Sequence, residues 1–458
     1  MNEMFERLIV RLWNRATRRP DSTPNERALD LGSRVVEEQA VRDRVAIPHS
    51  RRAEHIAVLG KTGTGKSSLL RYLASQDIEA GRGFIYFDLH GDATSFLLAA
   101  IAAREAACDT DLCERVIVVE PSDPDFSVGL NPLAHSSTNN TFVQMGEFAQ
   151  VLRHRWQLDS FGARTDELLR NSLYAIFENG LTLLEVAPFL TNTPFRAECL
   201  KRVKNAEVRE YFQQRFDQAS EPMRAVMREP ILNKISTFTA DPHFRHIVGQ
   251  QVSTFSVANV LQAGQWVILN LHKGRLGEHA LTLGSLFLSQ IKNALFARKN
   301  RQLFTLYCDE IQNLVALDCG LETILSEARK FGVSVLSANQ YLEQYPNEMR
   351  SAVLAVGTHI FFQLSSPDAH SISNVLDGGK TLAEQLKNLP RRHMIVKTGN
   401  ERWKEARVPT LKESRADYSN LYERCRNRWA RRRQEIEKEI VQRHVEANRS
   451  SEVLDAWE

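Results

Sequence analysis

With 458 residues, 43% hydrophobic and 25% charged content and a net charge of +3, the chain has the make-up of a soluble globular protein with two or three domains and a large core. No run approaches the ~18 apolar residues of a membrane-spanning helix, and no stretch joins a basic start, an apolar core and a small-residue cleavage site. The expectation is a cytoplasmic protein, at most peripheral at the inner face of the cell membrane.

Six cysteines (Cys108, Cys113, Cys199, Cys308, Cys319 and Cys425) lack the paired spacing or neighbouring histidines of a zinc site and read as reduced packing residues. Near the N-terminus, Phe5, Leu8, Ile9, Leu12 and Trp13 share one helical face, with Arg7, Arg11, Arg15, Arg18 and Arg19 around it. This basic amphipathic helix suits packing on its own domain or on a neighbouring subunit, with a membrane surface as the alternative. Pro20 to Asn25 reads as a linker, and residues 26–54 mix polar and short apolar stretches, so residues 1–50 are assigned as helix and linker.

An apolar strand from Ile56 to Leu59 then runs into Gly60, Lys61, Thr62, Gly63, Thr64, Gly65, Lys66 and Ser67, and a helical pattern follows through Ser68 and Leu69. Every fixed position of a phosphate-binding loop is present. The glycines let backbone amides curl round an anion, the following helix aims its positive end there, Lys66 reaches terminal phosphates, and the Ser67 hydroxyl suits Mg2+.

Phe84 to Phe87 is a second buried strand, ending in Asp88, His90 and Asp92. Ligands of open α/β sheets sit beyond the strand carboxyl ends, so Asp88, His90 and Asp92 are expected near the phosphate site, Asp88 foremost. Asp92 suits either the site or the cap of a helix from about Ala93. After an alanine-rich helix, Val116 to Val119 completes a β-α-β alternation, and Gly129 to Leu133 is a turn. Residues 138–250 read as helices without strands, including a stripe of Leu168, Leu169, Leu173, Ile176 and Phe177, and suggest an insertion in the nucleotide domain.

The sheet resumes at Trp266 to Leu271, followed by His272, Lys273 and Arg275. A helix from about Glu278 to Lys299 precedes Leu303 to Cys308, and Asp309 and Glu310 come next. An acidic pair ending an apolar strand is the Walker B arrangement: Asp309 holds Mg2+ and Glu310 polarises the attacking water. The strand Val333 to Ala338 ends in Asn339 and Gln340, and Gln340 is placed to sense the γ-phosphate or orient water, the alternative being an ordinary helix-start amide. Arg329 and Lys330, on the helix before it, are candidates for an arginine supplied in trans, with Lys273 and Arg275 competing. Ile360 to Leu364 is expected as the last strand. Six arginines, Arg424, Arg426, Arg428, Arg431, Arg432 and Arg433, then crowd a polar helical tail, as a phosphate-binding surface or a solvated helix.

A guanine reader is missing: the nearest match, Asn233 to Ser236, lacks the aspartate. The ABC-type Leu-Ser-Gly-Gly-Gln signature is absent too, and small-molecule kinases rarely separate lysine and acid as far as Lys66 and Asp309. The ordered set of residues 60–67, 87–92, 130–133, 308–313, 324–332 and 338–340 resembles the DNA-pumping ATPases over most of residues 50–400. Specifically, it resembles type IV secretion coupling proteins of the TraD/TraG kind and their HerA and FtsK relatives.

The resemblance implies an α/β, RecA-like P-loop NTPase with a mostly parallel central sheet and an all-α insertion. It implies a homo-hexameric ring, ATP and Mg2+ bound between subunits, and DNA driven through a central channel in conjugative or related transfer. Carried onto this chain, Gly60 to Ser68 bind nucleotide, Ser67 and Asp309 bind the metal, and Lys66, Glu310, Gln340 and Arg329 are catalytic. Residues 51–137 and 251–410 form the motor, 138–250 the insertion and 411–458 a basic helical tail. Coupling proteins usually begin with membrane-spanning helices, and HerA-type enzymes with a β-barrel; neither is evident before the loop. A secretion apparatus, a relaxase or a nuclease is the implied partner. The rival readings are DNA-end processing or antiphage defence with that nuclease, and a nucleotide-gated scaffold that moves no DNA.

Overall fold

Short, unbroken apolar runs are what a strand buried on both faces requires, and the chain supplies a series of them. The computed structural model describes residues 27–134, 141–155, 162–310, 321–345, 347–411 and 413–455. The amphipathic segment Phe5 to Trp13, the linker Pro20 to Asn25 and Cys319 lie outside them. Among the described residues the strands are β1 (Leu29–Val36), β2 (Gln39–Ile47), β3 (Ile56–Leu59), β4 (Gly83–Asp88), β5 (Val116–Val119), β6 (Phe126–Ser127) and β7 (Trp266–Asn270). They continue with β8 (Phe304–Asp309), β9 (Val333–Asn339), β10 (Thr358–Phe361), β11 (His393–Thr398), β12 (Lys404–Arg407) and β13 (Arg431–Arg432).

Eleven of them form one sheet in the order β2-β1-β12-β11-β10-β3-β9-β8-β4-β7-β5. From β10 to β5 every pairing is parallel, and from β10 to β2 every pairing is antiparallel. Alternate residues of each strand face opposite sides. Ile56, Val58, Phe84, Tyr86 and Ile268 pack on Leu69, Leu73, Leu97 and Ile101, which belong to helices Lys66–Ala80 and Thr94–Cys108. Their neighbours Ala57, Leu59, Ile85, Phe87 and Leu269 pack on the other side against Leu283 and Phe287 of helix Glu278–Phe296. Each such buried Leu or Phe contributes ~1.5–3 kcal/mol.

Between β6 and β7 every described element is helical, from Thr141–Arg155 to Val257–Ala263. This block shares its apolar cluster with the sheet, Leu168, Leu173, Phe189 and Phe212 lying in one continuous core with Phe87 and Leu269. Its seam is fastened by Asn131. That buried amide donates to the carbonyls of Leu181 (3.3 Å) and Gln251 (3.1 Å), while its backbone N–H donates to Ser253 Oγ at 3.0 Å.

Three expectations are corrected. Residues 29–47, read as mixed polar and apolar linker, form the β1–β2 hairpin, which the sequence pattern hides because β2 is an edge strand with seven of nine residues exposed and lacks a strand's alternation. The strand at Ile360 is not the last: β11 and β12 fold back antiparallel and join it to the hairpin. The crowded arginines after residue 411 are largely consumed within the molecule. On helix Ser419–Trp429, Arg424 pairs with Glu105 (2.5 Å) and Asp111, Arg426 lies over the Phe126 ring, and Arg428 pairs with Glu114 (3.0 Å). Beyond it, Arg431 pairs with Glu439 (2.5 Å) and Arg433 donates to the Pro121 carbonyl at 2.5 Å.

At the amino ends of the strands sits a fully buried charge cluster. Asp77, on the P-loop helix, accepts two bonds of 2.8 Å from Arg52, one of 2.6 Å from Arg82 and one of 2.7 Å from the Tyr307 hydroxyl. Burial alone would raise its carboxyl, but Arg52 and then Arg82 outweigh it and hold the pKa at about 2. Asp77→Asn strips the guanidiniums of their counter-charge, which costs about 3–5 kcal/mol at neutral pH. Because the folded pKa lies below the unfolded one, the charge's contribution is complete above about pH 4 and lost as pH falls through about 2. Urea melts of both chains should therefore diverge most at pH 7 and converge towards pH 2–3; a gap independent of pH would show that the charge is not the source.

Candidate functional site

Parallel strands in register end level with one another, and here that places four polar chain segments along one sheet edge. Leu59 is opposite Asn339, Asp309 opposite Ala338, and Phe87 opposite Cys308. The phosphate loop leaves β3 anchored at both flanks: Gly60 N–H donates to the Asn339 carbonyl (3.2 Å) and Lys61 N–H to that of Gln363 (2.9 Å). Gly65 has φ +125°, a conformation other residues adopt only under strain, and a Cβ there would lie 3.3 Å from the Phe362 ring. The helix that follows has no side chain capping its first amides, so its positive end faces the loop.

Lys66 is buried and donates to the carbonyls of Gly60 (2.5 Å) and Lys61 (3.0 Å). Burial lowers its pKa, with Asp309 and Glu310 opposing. Asp309, the last residue of β8, is also buried; burial pushes its carboxyl up, while the hydrogen-bonded Ser67 hydroxyl and the Lys66 ammonium oppose. Ser67 and Asp309, read as metal ligands from different segments, are thus adjacent.

Glu310 begins the segment after β8 in the left-handed region, φ 52°, a strain of about 1–3 kcal/mol that recurs at functional sites. Its backbone N–H donates to Asp309 Oδ1 at 3.1 Å. Gln340 Nε2 donates to Glu310 Oε1 at 3.0 Å, and His90 Nε2 lies 3.2 Å from Oε2. That bond to Glu310 raises the His90 pKa to about 8 against partial burial. Gln340 is itself steadied, its N–H donating to Gln344 Oε1 at 3.1 Å. It serves as a side-chain partner of Glu310, not as a helix-start amide.

The acids after β4 divide differently from the expectation. Asp88 turns inward: Oδ1 accepts from Gly91 N–H (2.8 Å), and Oδ2 from the N–H groups of Ala93 (3.0 Å) and Thr94 (2.8 Å) and from Thr94 Oγ1 (2.7 Å). It is consumed in building the turn and starting helix Thr94–Cys108, the capping task considered for Asp92, which instead is exposed. The turn delivers His90 to the site.

Arg329 does not join the cluster. It lies in the turn Ala328–Phe331 before β9, at the amino edge, paired with Glu54 at 3.1 Å; the seven residues of β9 set it roughly 20 Å from the loop edge. Lys273 and Arg275 are exposed on the short helix Lys273–Leu276 after β7, at the carboxyl edge. A further arginine, Arg392, was not anticipated. Its N–H donates to the Thr64 carbonyl at 2.8 Å with φ 69°, laying the turn before β11 on the phosphate loop. Two adjacent arginines after Pro390, just ahead of an apolar run, are its only trace in the sequence.

These donors fit a nucleoside triphosphate with Mg2+: a loop of amides with a lysine for the phosphates, and hydroxyl and carboxylate oxygens of the kind a hard cation takes. No helix among the described residues is long and apolar enough to cross a membrane. Residues 44–153 match the helicase HerA central-domain family. No curated protein sequence matches the chain. Among solved structures, the bacterial conjugative coupling protein TrwB, N-terminally truncated and unbound, aligns with TM-score 0.60 at 16% identity, covering 88% of this chain and 93% of that one. TrwB with the ATP analogue ADPNP gives 0.61 at 17% identity, covering 84% and 96%. VirB4 of Thermoanaerobacter pseudethanolicus gives 0.56 at 13% identity, covering 86% and 98%. The chain thus carries the RecA-like P-loop fold of these structures, and residues 44–153 within it match the HerA central-domain family.

Proposed function

We propose that the chain is an ATP-hydrolysing DNA translocase that works as a hexameric ring in conjugative or related DNA transfer. The observation that carries the reading is the meeting of Lys66, Ser67, Asp309, Glu310 and Gln340 at one sheet edge. Lys66 leaves its two carbonyl partners for the terminal phosphates. Ser67 and Asp309 would hold Mg2+, which when bound supplies neutralisation of phosphate charge. Glu310 takes the proton from the water that attacks the γ-phosphate, and Gln340 keeps that carboxylate aligned. A scaffold that only binds nucleotide needs neither of the last two groups. The HerA central-domain match over residues 44–153 favours one second reading, an end-processing motor with a nuclease partner.

Hydrolysis measured with and without DNA tests the motor. Lys66→Ala should lose nucleotide binding and turnover together, whereas Glu310→Gln should keep binding and lose about 100-fold or more in kcat. DNA should stimulate wild type, and light scattering should detect a nucleotide-dependent ring. A monomer under all nucleotide conditions with no DNA stimulation would sink the reading.

The position of Arg329, far from its own loop, supports its acting on a neighbour's nucleotide. Arg329→Ala and Lys66→Ala chains should each be inactive alone. Mixed in equal amounts, they should recover activity at about a quarter of interfaces, those pairing an intact Lys66 with an intact Arg329. If mixing restores nothing for Arg329→Ala but does for Arg275→Ala, the role passes to Arg275.

A further inference from the structure

A carboxylate that takes a proton from water works only when held in place, since a misplacement of about 1 Å costs on the order of 100-fold in rate. Glu310 is poorly placed to be held by its own backbone. The β8 ladder ends at Asp309, and Glu310 turns off it in a left-handed conformation. What aims the side chain is contact from both sheet neighbours of β8: Gln340 follows β9 and bonds Oε1, and His90 follows β4 and bonds Oε2.

His90 stands on a built turn. Asp88 accepts four hydrogen bonds across it, and Gly91 closes it at φ 81°, where a Cβ would come within 2.7 Å of His272 Cδ2. Lys273 N–H donates to the Leu89 carbonyl at 2.9 Å, tying the turn to the segment after β7. The imidazole is half exposed, and its Nε2 lies 3.2 Å from Glu310 Oε2.

We propose that His90 is the positioning residue of Glu310, its Nε2–H holding Oε2 while Gln340 holds Oε1, so that hydrolysis depends on a donor at this point of the β4 turn. The proposal rests on the reading of Glu310 as the hydrolytic carboxylate.

The test uses the full-length chain with ATP and Mg2+, measuring kcat, KM, binding of a fluorescent ATP analogue and melting temperature. His90→Ala should lower kcat by about 10- to 100-fold while KM and analogue binding stay within about twofold and melting is unchanged. His90→Gln, whose amide can donate from nearly the same point, should recover most of the loss. In a Glu310→Gln background, His90→Ala should add nothing, because the two act as one unit. An inactive Glu310→Gln beside an unimpaired His90→Ala, an additive loss in the double variant, or a His90→Gln no better than alanine would each overturn the positioning role alone. Wild-type turnover by Glu310→Gln would overturn the reading of Glu310, and the proposal with it.

Discussion

The carboxylate of Asp77 is wholly buried, yet it gathers partners from the segments of three parallel strands. Arg52 comes from the segment before β3, Arg82 from the turn before β4, and Tyr307 from within β8. Arg52 also bonds Thr305 of β8, and the Arg82 carbonyl accepts from the Trp266 indole of β7. Asp77 lies on the P-loop helix, so the cluster fixes how that helix sits on the sheet. An error at this end would appear at the other as a misplaced Lys66 and Ser67. A buried ion cluster is weak evidence of net stability, because desolvation offsets the attraction. Its value here is specificity: only one seating of the helix satisfies all four donors.

With the helix seated and the strands in register, the opposite edge collects a lysine and two acids in little space. Lys66 and Asp309 are each pushed towards neutrality by burial and back towards charge by one another. Such opposed perturbation is what a phosphate and metal site requires, since the incoming charges alter the balance of both groups. Glu310 is treated differently. It stays partly exposed, with each carboxylate oxygen bonded to a residue from a neighbouring strand. The buried pair suits binding, and the strapped, accessible acid suits proton transfer.

The central strands and the phosphate loop were legible in the sequence for one physical reason. A strand covered on both faces is an apolar run, and its polar end marks the sheet edge, as at Ile56–Leu59, Phe304–Asp309 and Val333–Asn339. Where a strand is at or near the open edge that logic fails, and β2, with Val45 and Ile47 as its buried residues, was read as linker. Local spacing could not tell which residue of the Asp88 turn faces the site, because hydrogen bonds reaching Gly91, Ala93 and Thr94 decide it. The C-terminal arginines misled for a related reason. Their partners Glu105, Asp111 and Glu114 lie some three hundred residues earlier, so a free basic patch in the sequence is a neutralised interface in the fold.

That interface bears on how the sheet is used. One edge strand, β5, is covered by helix Ser419–Trp429, whose arginines lock onto helix Thr94–Cys108 and the turn after it. The other edge, β2, carries charged pairs such as Arg34 with Asp43 and Arg44 with Asp30, which discourage strand addition. Both lateral edges being blunted, a neighbouring subunit of the proposed ring has the strand ends and the faces left to dock on. The ends differ in chemistry: the carboxyl end holds the loop, both acids and Gln340, while the amino end presents Arg329 beside Glu54. Head-to-tail contact between unlike surfaces is how a rotation closes into a ring, and an arginine at one end with a phosphate site at the other suits that geometry.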